Sequence, residues 1–327
     1  MNKPNTIRPL EHLKAAGAAY PEAWKQAESF IQDRGHGLPD WPSWCFVPMA
    51  AWYAIVCKRL HLESLTIANF HEVARLAALG SWRITQGVYS FHPAIFAELC
   101  QTEMSGDLPS EVFKRLPEWC LYINTPDFVW SGIKTHGFFT HLEHDANDGR
   151  TELRFLVDTD QGLVPFIIHI GKWSLEESLK RVAREGYYWI NDAQKPAFNS
   201  IYKSGAAIKA AEPLLALVLY LCSKDPEYKG GDVPSKPAPK KTKKGWRLFP
   251  AAGPRVWSIG YELGAAIERA RTAGGGQDKS RPRAHMRKAH WHGYWVGPKS
   301  EEQEFTFRWL PPTAVNADLW KEENAKD

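Results

Sequence analysis

Apolar residues recur at helical spacing through the first third of the chain and at alternating spacing beyond it, with the change of period near Trp119. Leu10 to Arg34 has mixed helical spacing interrupted by Pro21, which predicts two short helices in place of one long one. Further helices are predicted over Met49–Leu60 and Ile67–Leu79, the second ended by Gly80. Between them GHGLPDWPSWC (Gly35 to Cys45) sets Trp41 and Trp44 beside two prolines, a rigid segment suited to plugging a core. From Trp119 the runs Trp119–Asn124, Val129–Glu143, Thr151–Asp160 and Gly162–Ile170 are short and rich in aromatic and β-branched residues. The turn clusters DANDG and DTDQG separate the later ones, and the pattern predicts an antiparallel meander. SLEESLKRVAREG (Ser174 to Gly186) opens on a serine cap with Glu177 three residues on, and its leucines predict a helix lying on the sheet. Ala206 to Ser223 predicts a more apolar, buried helix around Pro213.

The pattern then fails. PEYKGGDVPSKPAPKKTKKGWR has spaced prolines and five lysines between Lys236 and Lys244, a composition that does not sustain a packed core. A helix over Ser258–Thr272 ends in three glycines. Ala289–Val296 and Glu304–Leu310 follow as a hairpin closed by Gly297 to Gln303. The expected fold is α+β: a mainly helical region over 1–115, an antiparallel sheet with helices over 116–223, and a flexible basic linker over 224–247. A basic helix and a C-terminal hairpin over 248–327 are expected to join the sheet and complete the core.

Charge changes this picture more than composition does. The net charge is only +4, but Val233 to Lys299 holds fifteen Lys and Arg against three acids, +12, leaving −8 elsewhere. Such segregation implies an anionic partner for the C-terminal third. Five cysteines form no CxxC pair and sit among apolar residues, as reduced thiols in a cytoplasmic protein do. The N-terminus lacks an apolar signal core, and the most apolar run, Leu214 to Cys222, is too short to span a bilayer, so no membrane role is expected. Fifteen tryptophans point to aromatic cores and pockets.

Candidate chemistry gathers in RPRAHMRKAHWHGYWVG (Arg281 to Gly297), where every formal charge is positive and aromatics are interleaved. On a strand His290 and His292 share one face, and Trp291 and Gly293 the other. Three readings follow: imidazoles ordering neighbouring aromatics, a metal site completed by His285 or Glu304, or an acid–base pair that cleaves RNA with Arg287 or Arg308 facing the phosphorane. The histidine spacing matches no compact zinc pattern. Asp158 and Asp160 sit in a turn, and no nucleotide-binding glycine loop, GxSxG elbow or HExxH occurs, so no metal or cofactor is expected.

GSWRITQGVY (Gly80 to Tyr89), RLPEWCLYIN (Arg115 to Asn124), FLVDTD (Phe155 to Asp160), LYLC (Leu219 to Cys222), the HWHGYW run and FRWLPPTAVN (Phe307 to Asn316) occur in one order. Together they closely resemble the second type V-A anti-CRISPR family, phage- and plasmid-borne proteins that silence the type V-A CRISPR effector nuclease. The resemblance implies a non-enzymatic protein that recognises the effector's nascent N-terminal peptide in the bacterial cytoplasm and triggers loss of the mRNA being translated. A peptide-targeted ribonuclease using His290, His292 and Arg287, or a direct inhibitor of the assembled effector, are the alternatives. Trp82, Arg83, Tyr89, Trp291, Tyr294, Trp295, Arg308 and Trp309 are the matching positions expected at the peptide site. Lys240, Lys241, Lys243, Lys244, Arg281, Arg283, Arg287 and Lys288 are expected to face ribosome or RNA. The N-terminal segment, through about Leu38, and the Pro/Lys-rich stretch depart most from the family pattern.

Overall fold

The first helices separate at Pro21 as predicted: α1 (Ile7–Ala19) and α2 (Ala23–Asp33) flank it. The computed structural model describes residues 7–65, 67–104, 110–189, 205–243, 245–273, 285–298 and 303–315. α3 (Met49–Leu60) has the predicted bounds, and the segment before it is the expected plug, with Trp41 buried and its Nε1 donating to the carbonyl of Phe46 at 3.3 Å. α4 (Ile67–Trp82) runs through Gly80 instead of stopping there. A Cβ on Gly80 would lie 2.3 Å from Cη2 of Trp52 on α3, so the glycine serves close helix–helix approach and not chain termination.

The sequence divides into two compact units, each assembled from separated stretches and so not coinciding with the four segments read from composition. The first comprises Met1–Ser90, Gly106–Ala210 and Val233–Trp257. Its centre is a sheet ordered β6-β5-β4-β2-β1-β9, built from β1 (Gly87–Phe91), β2 (Cys120–Asn124), β4 (Ile133–His144), β5 (Thr151–Thr159), β6 (Gly162–His169) and β9 (Arg255–Ile259). A short β3 (Val129–Trp130) pairs with β4. The meander is antiparallel as predicted, but β1 is parallel to β2. β9, which lay inside no predicted strand, takes the edge beside β1. The C-terminal hairpin therefore forms its own two-stranded sheet and does not join the large one.

Both faces of the sheet are buried. Tyr122, Phe139, Leu156 and Leu163 meet the first four helices, while Phe138, Phe155, Phe166 and Trp130 form an aromatic row on the other face. Helix α7 (Leu175–Trp189), opened by Ser174 as predicted, packs on β6. α1 is tied to the sheet by Asp158, which accepts from Arg8 Nη2 (2.6 Å) and Nε (3.0 Å) and from the Tyr122 hydroxyl (2.9 Å), with His12 Nε2 at 3.1 Å. The Tyr122 ring reaches it by crossing Gly137, where a Cβ would meet the ring at 2.5 Å. Burial raises the Asp158 carboxyl, but hydrogen bonds from His12 and Arg8 outweigh it and hold it down at about 2. The DTD run is thus an anchor for α1.

The expected flexible linker is partly folded. Lys229 N donates to the Ser258 carbonyl at 2.9 Å, and β7 (Lys240–Thr242) pairs with β8 (Gly245–Arg247). Backbone pairing and the Glu227 carboxylate, which accepts from Glu262 N (2.7 Å) and Leu263 N (3.0 Å), supply order that composition does not register.

The second unit comprises Phe91–Ser105, Ala211–Asp232 and Ser258–Asp327. It contains α5 (Pro93–Gln101), which His92 Nδ1 caps by accepting from Ala94 N, and α9 (Tyr261–Ala273), joined to α5 by an Arg271–Glu98 ion pair. Between the units in sequence runs α8 (Gly205–Cys222); the remaining short helix is α6 (Ser110–Phe113). At 18 residues α8 is long and apolar enough to cross a membrane by length and composition, beyond the shorter run read from sequence, but 67% of it is buried within the protein.

Beneath β1, burial pushes the Glu118 carboxyl up to about 7, against hydrogen bonds with Thr85, Tyr89 and Trp257 and the charge of Arg255. A carboxyl raised by folding contributes stability that is complete below its unfolded pKa and is lost as pH rises through the folded value. Melting temperature is therefore expected to fall between pH ~4.5 and ~7, the interval between the unfolded and folded values, by the equivalent of up to ~3 kcal/mol from this group. Glu118→Gln should flatten part of that slope; a melting temperature independent of pH across the range would contradict it.

Candidate functional site

The HWHGYW stretch is β11 (His290–Val296), paired antiparallel with β12 (Glu304–Leu310), and β10 (His285–Arg287) pairs with β13 (Thr313–Val315) on the same two chain segments. Alternation along β11 sends side chains to two faces. Register sets His290 opposite Leu310, His292 opposite Arg308 and Tyr294 opposite Thr306 on one face. Trp291 opposite Trp309, Gly293 opposite Phe307 and Trp295 opposite Phe305 make the other.

One end of the ribbon is rooted. Trp309 is buried, meets Tyr220 edge-on at 5.8 Å and donates Nε1 to Thr102 Oγ1 at 3.3 Å. The other end stands in solvent: Trp295 leans on Phe305 with centroids 5.0 Å apart yet stays 63% exposed, and Val296 beside it is 40% exposed. His292 stacks on Tyr294 at 5.7 Å. His290, His292 and Arg308 are exposed on the same face. An apolar surface carried on a two-stranded ribbon, with backbone edges beside it, suits capture of an extended peptide.

The expected peptide residues do not all meet here. Trp291, Tyr294, Trp295 and Arg308 share the ribbon, and Trp309 is its buried root. Trp82 and Tyr89 are completely buried in the first unit, where Trp82 Nε1 donates to the Gly87 carbonyl at 2.9 Å, so neither presents a surface to a ligand. Arg83 is half-buried over Trp24. A cavity of about 340 Å³ between α2 and α3 has Phe30 as its single aromatic wall and does not supply the aromatic groove expected of the Trp-rich regions.

Of the expected RNA-facing residues, Lys240, Lys241, Lys243 and Lys288 are exposed. Lys244, Arg281 and Arg283 lie outside the described residues, as does the side chain of Arg287. Glu152, His169 and Glu185 bring ligand atoms within 4.8 Å of one another, a set the sequence reading did not single out. Arg150 already bridges both carboxylates, Nε to Glu152 at 3.0 Å and Nη1 to Glu185 at 2.8 Å, so a guanidinium supplies the positive charge there.

Residues 89–317, from β1 through the entire ribbon, match the AcrVA2-like family, the anti-CRISPR type V subtype A2 family. The chain belongs to that family. As a type V-A anti-CRISPR protein it has the type V-A CRISPR system as its target. The match begins at Tyr89, so the expected roles of Trp82 and Arg83 lie outside the matched residues. A solved structure described as "Crystal structure of AcrVA2" has the same fold, with a TM-score of 0.65 at 23% identity over 94% of this chain and 98% of that one. No curated protein matches this anti-CRISPR chain.

Proposed function

We propose that this anti-CRISPR protein acts in the bacterial cytoplasm by gripping the nascent N-terminal peptide of the type V-A effector nuclease and causing loss of the mRNA under translation. The observation that carries the reading is the solvent-facing aromatic end of the ribbon, where Trp295 is 63% exposed beside Phe305. An aromatic anchor of this kind contributes most of its binding energy when a partner covers it. The test is capture of peptides tiling the effector's N-terminus. One tile should bind, and Trp295→Ala should weaken it by about 30-fold, the effect of losing an interface anchor worth ~2 kcal/mol. Binding of no tile, or equal binding by the variant, would reject the reading.

One arrangement favours a second reading, that the protein itself cuts the message. Register places His290, His292 and Arg308 on one exposed face, the residue types needed for acid–base attack by a 2′-hydroxyl with a cation facing the phosphorane. Purified protein should then cleave effector mRNA, and a His290→Ala, His292→Ala double variant should lose cleavage while still capturing peptide. Absence of cleavage by the unaltered protein leaves the binding reading standing alone.

A further inference from the structure

We infer that Arg83 and Arg247, flanking Glu28 beside the Trp24 ring, together with Lys240 across the hairpin from Arg247, form a site for the sugar–phosphate backbone of single-stranded RNA. The inference rests on the reading that the protein engages the message being translated, and it adds a built site to what was only an excess of positive charge.

Three elements of the first unit converge. Trp24 and Glu28 lie one turn apart on α2 and so share a face. Arg83, just past the end of α4, holds its guanidinium carbon 5.8 Å from the Trp24 ring centroid. Arg247, on β8, places Nη2 3.7 Å from Glu28 Oε2. Directly across the hairpin from Arg247 is Lys240, which puts both side chains on one face.

The charges do not balance. Glu28 is the one carboxylate shared by Arg247 and Arg83, and among the described residues no acid pairs with Arg83 at contact distance. Burial holds the Arg83 guanidinium below its usual pKa, with only the charge of Glu28 opposing the shift. A guanidinium withdrawn from water without a contacting anion is costly unless an outside anion joins it. The positive charge also continues past Lys240 to exposed Lys243 at the hairpin turn, which suits a chain of phosphates better than one isolated carboxylate. Cations interleaved with an aromatic ring are the pattern by which single strands are held.

The test uses the full-length protein and a fluorescein-labelled oligouridine of roughly 12 nucleotides, within the usual site sizes, followed by anisotropy from about 50 to about 200 mM salt. The unaltered protein should bind, with affinity falling steeply as salt rises. Lys240→Ala with Arg247→Ala should weaken binding about 10-fold at the lower salt and reduce the slope of log affinity against log salt by about 1.4, two phosphate contacts' worth. Arg83→Lys should keep the slope and Arg83→Ala lose about 0.7 of it; melting curves identify any variant that fails to fold. No binding by the unaltered protein, an unchanged slope in the double variant, or stronger competition by polyglutamate than by oligouridine would overturn the inference. Effector-peptide capture is measured on the same variants: it should be unchanged, and its failure in the unaltered protein would count against the peptide reading alone.

Discussion

Glu152→Gln is expected to lower stability by about 3–5 kcal/mol, the range for breaking a buried ion-pair network from one side. Glu152 on β5 is buried, with Arg154 Nη2 at 2.5 Å, Arg150 Nε at 3.0 Å and His169 Nε2 at 3.3 Å. Burial alone would raise its carboxyl; Arg154, His169 and Arg150 reverse that and hold it well below the ordinary carboxylate range. The stability it contributes is complete above its unfolded pKa and is lost as pH falls through the folded one. Its cross-strand partner Glu143 goes the other way, raised by burial to about 8, so the adjacent carboxyls carry one negative charge between them near neutrality. Glutamine keeps the volume but takes the carboxylate charge from Arg154 within the sheet, while Arg150 retains Asp145, Asp148 and Glu185. Urea denaturation measures the difference, and a loss below about 1 kcal/mol would mean the network is no better than a surface pair.

Gly80→Ala should cost about 3 kcal/mol, the upper part of the usual range for overpacking a core. The new methyl would meet Trp52 at 2.3 Å from Cη2 and 2.7 Å from Cζ2, and Trp52 has no exposed surface into which to retreat. Trp52→Phe shortens the ring at the point of collision while leaving a cavity of its own. The double variant should therefore be more stable than the two single losses add up to, with a coupling of about 1 kcal/mol or more. Additivity would show that α3 and α4 shift apart freely and that the contact is not fixed.

Much of the architecture was legible because period and punctuation agree with packing. α3 was readable to the residue, and the strands of the meander nearly so, since their turns are marked by Asp, Asn and Gly. The hairpin register was readable from alternation, which is why His290 and His292 share a face as expected. What escaped depended on partners far away in sequence. Gly80 reads as a stop until Trp52 is placed against it. β9 is five residues long beside a glycine and announces itself only through the edge it fills. The alternating charges of Glu152 and Arg154 carried one usable signal: they occupy the same strand face as Leu156, which marks a buried polar network. Trp82 and Tyr89 illustrate the converse, since motif similarity does not separate residues that build a core from residues that meet a ligand.

The place of β9 in the sheet has a consequence for the order of events during synthesis. β1 ends at Phe91, but its outer neighbour is not made until Ile259, roughly 170 residues later. At ordinary translation rates that is a wait of about 10–30 s. Throughout it β1 keeps an unfilled strand edge, and the sheet cannot be completed before the ribosome has made Ile259.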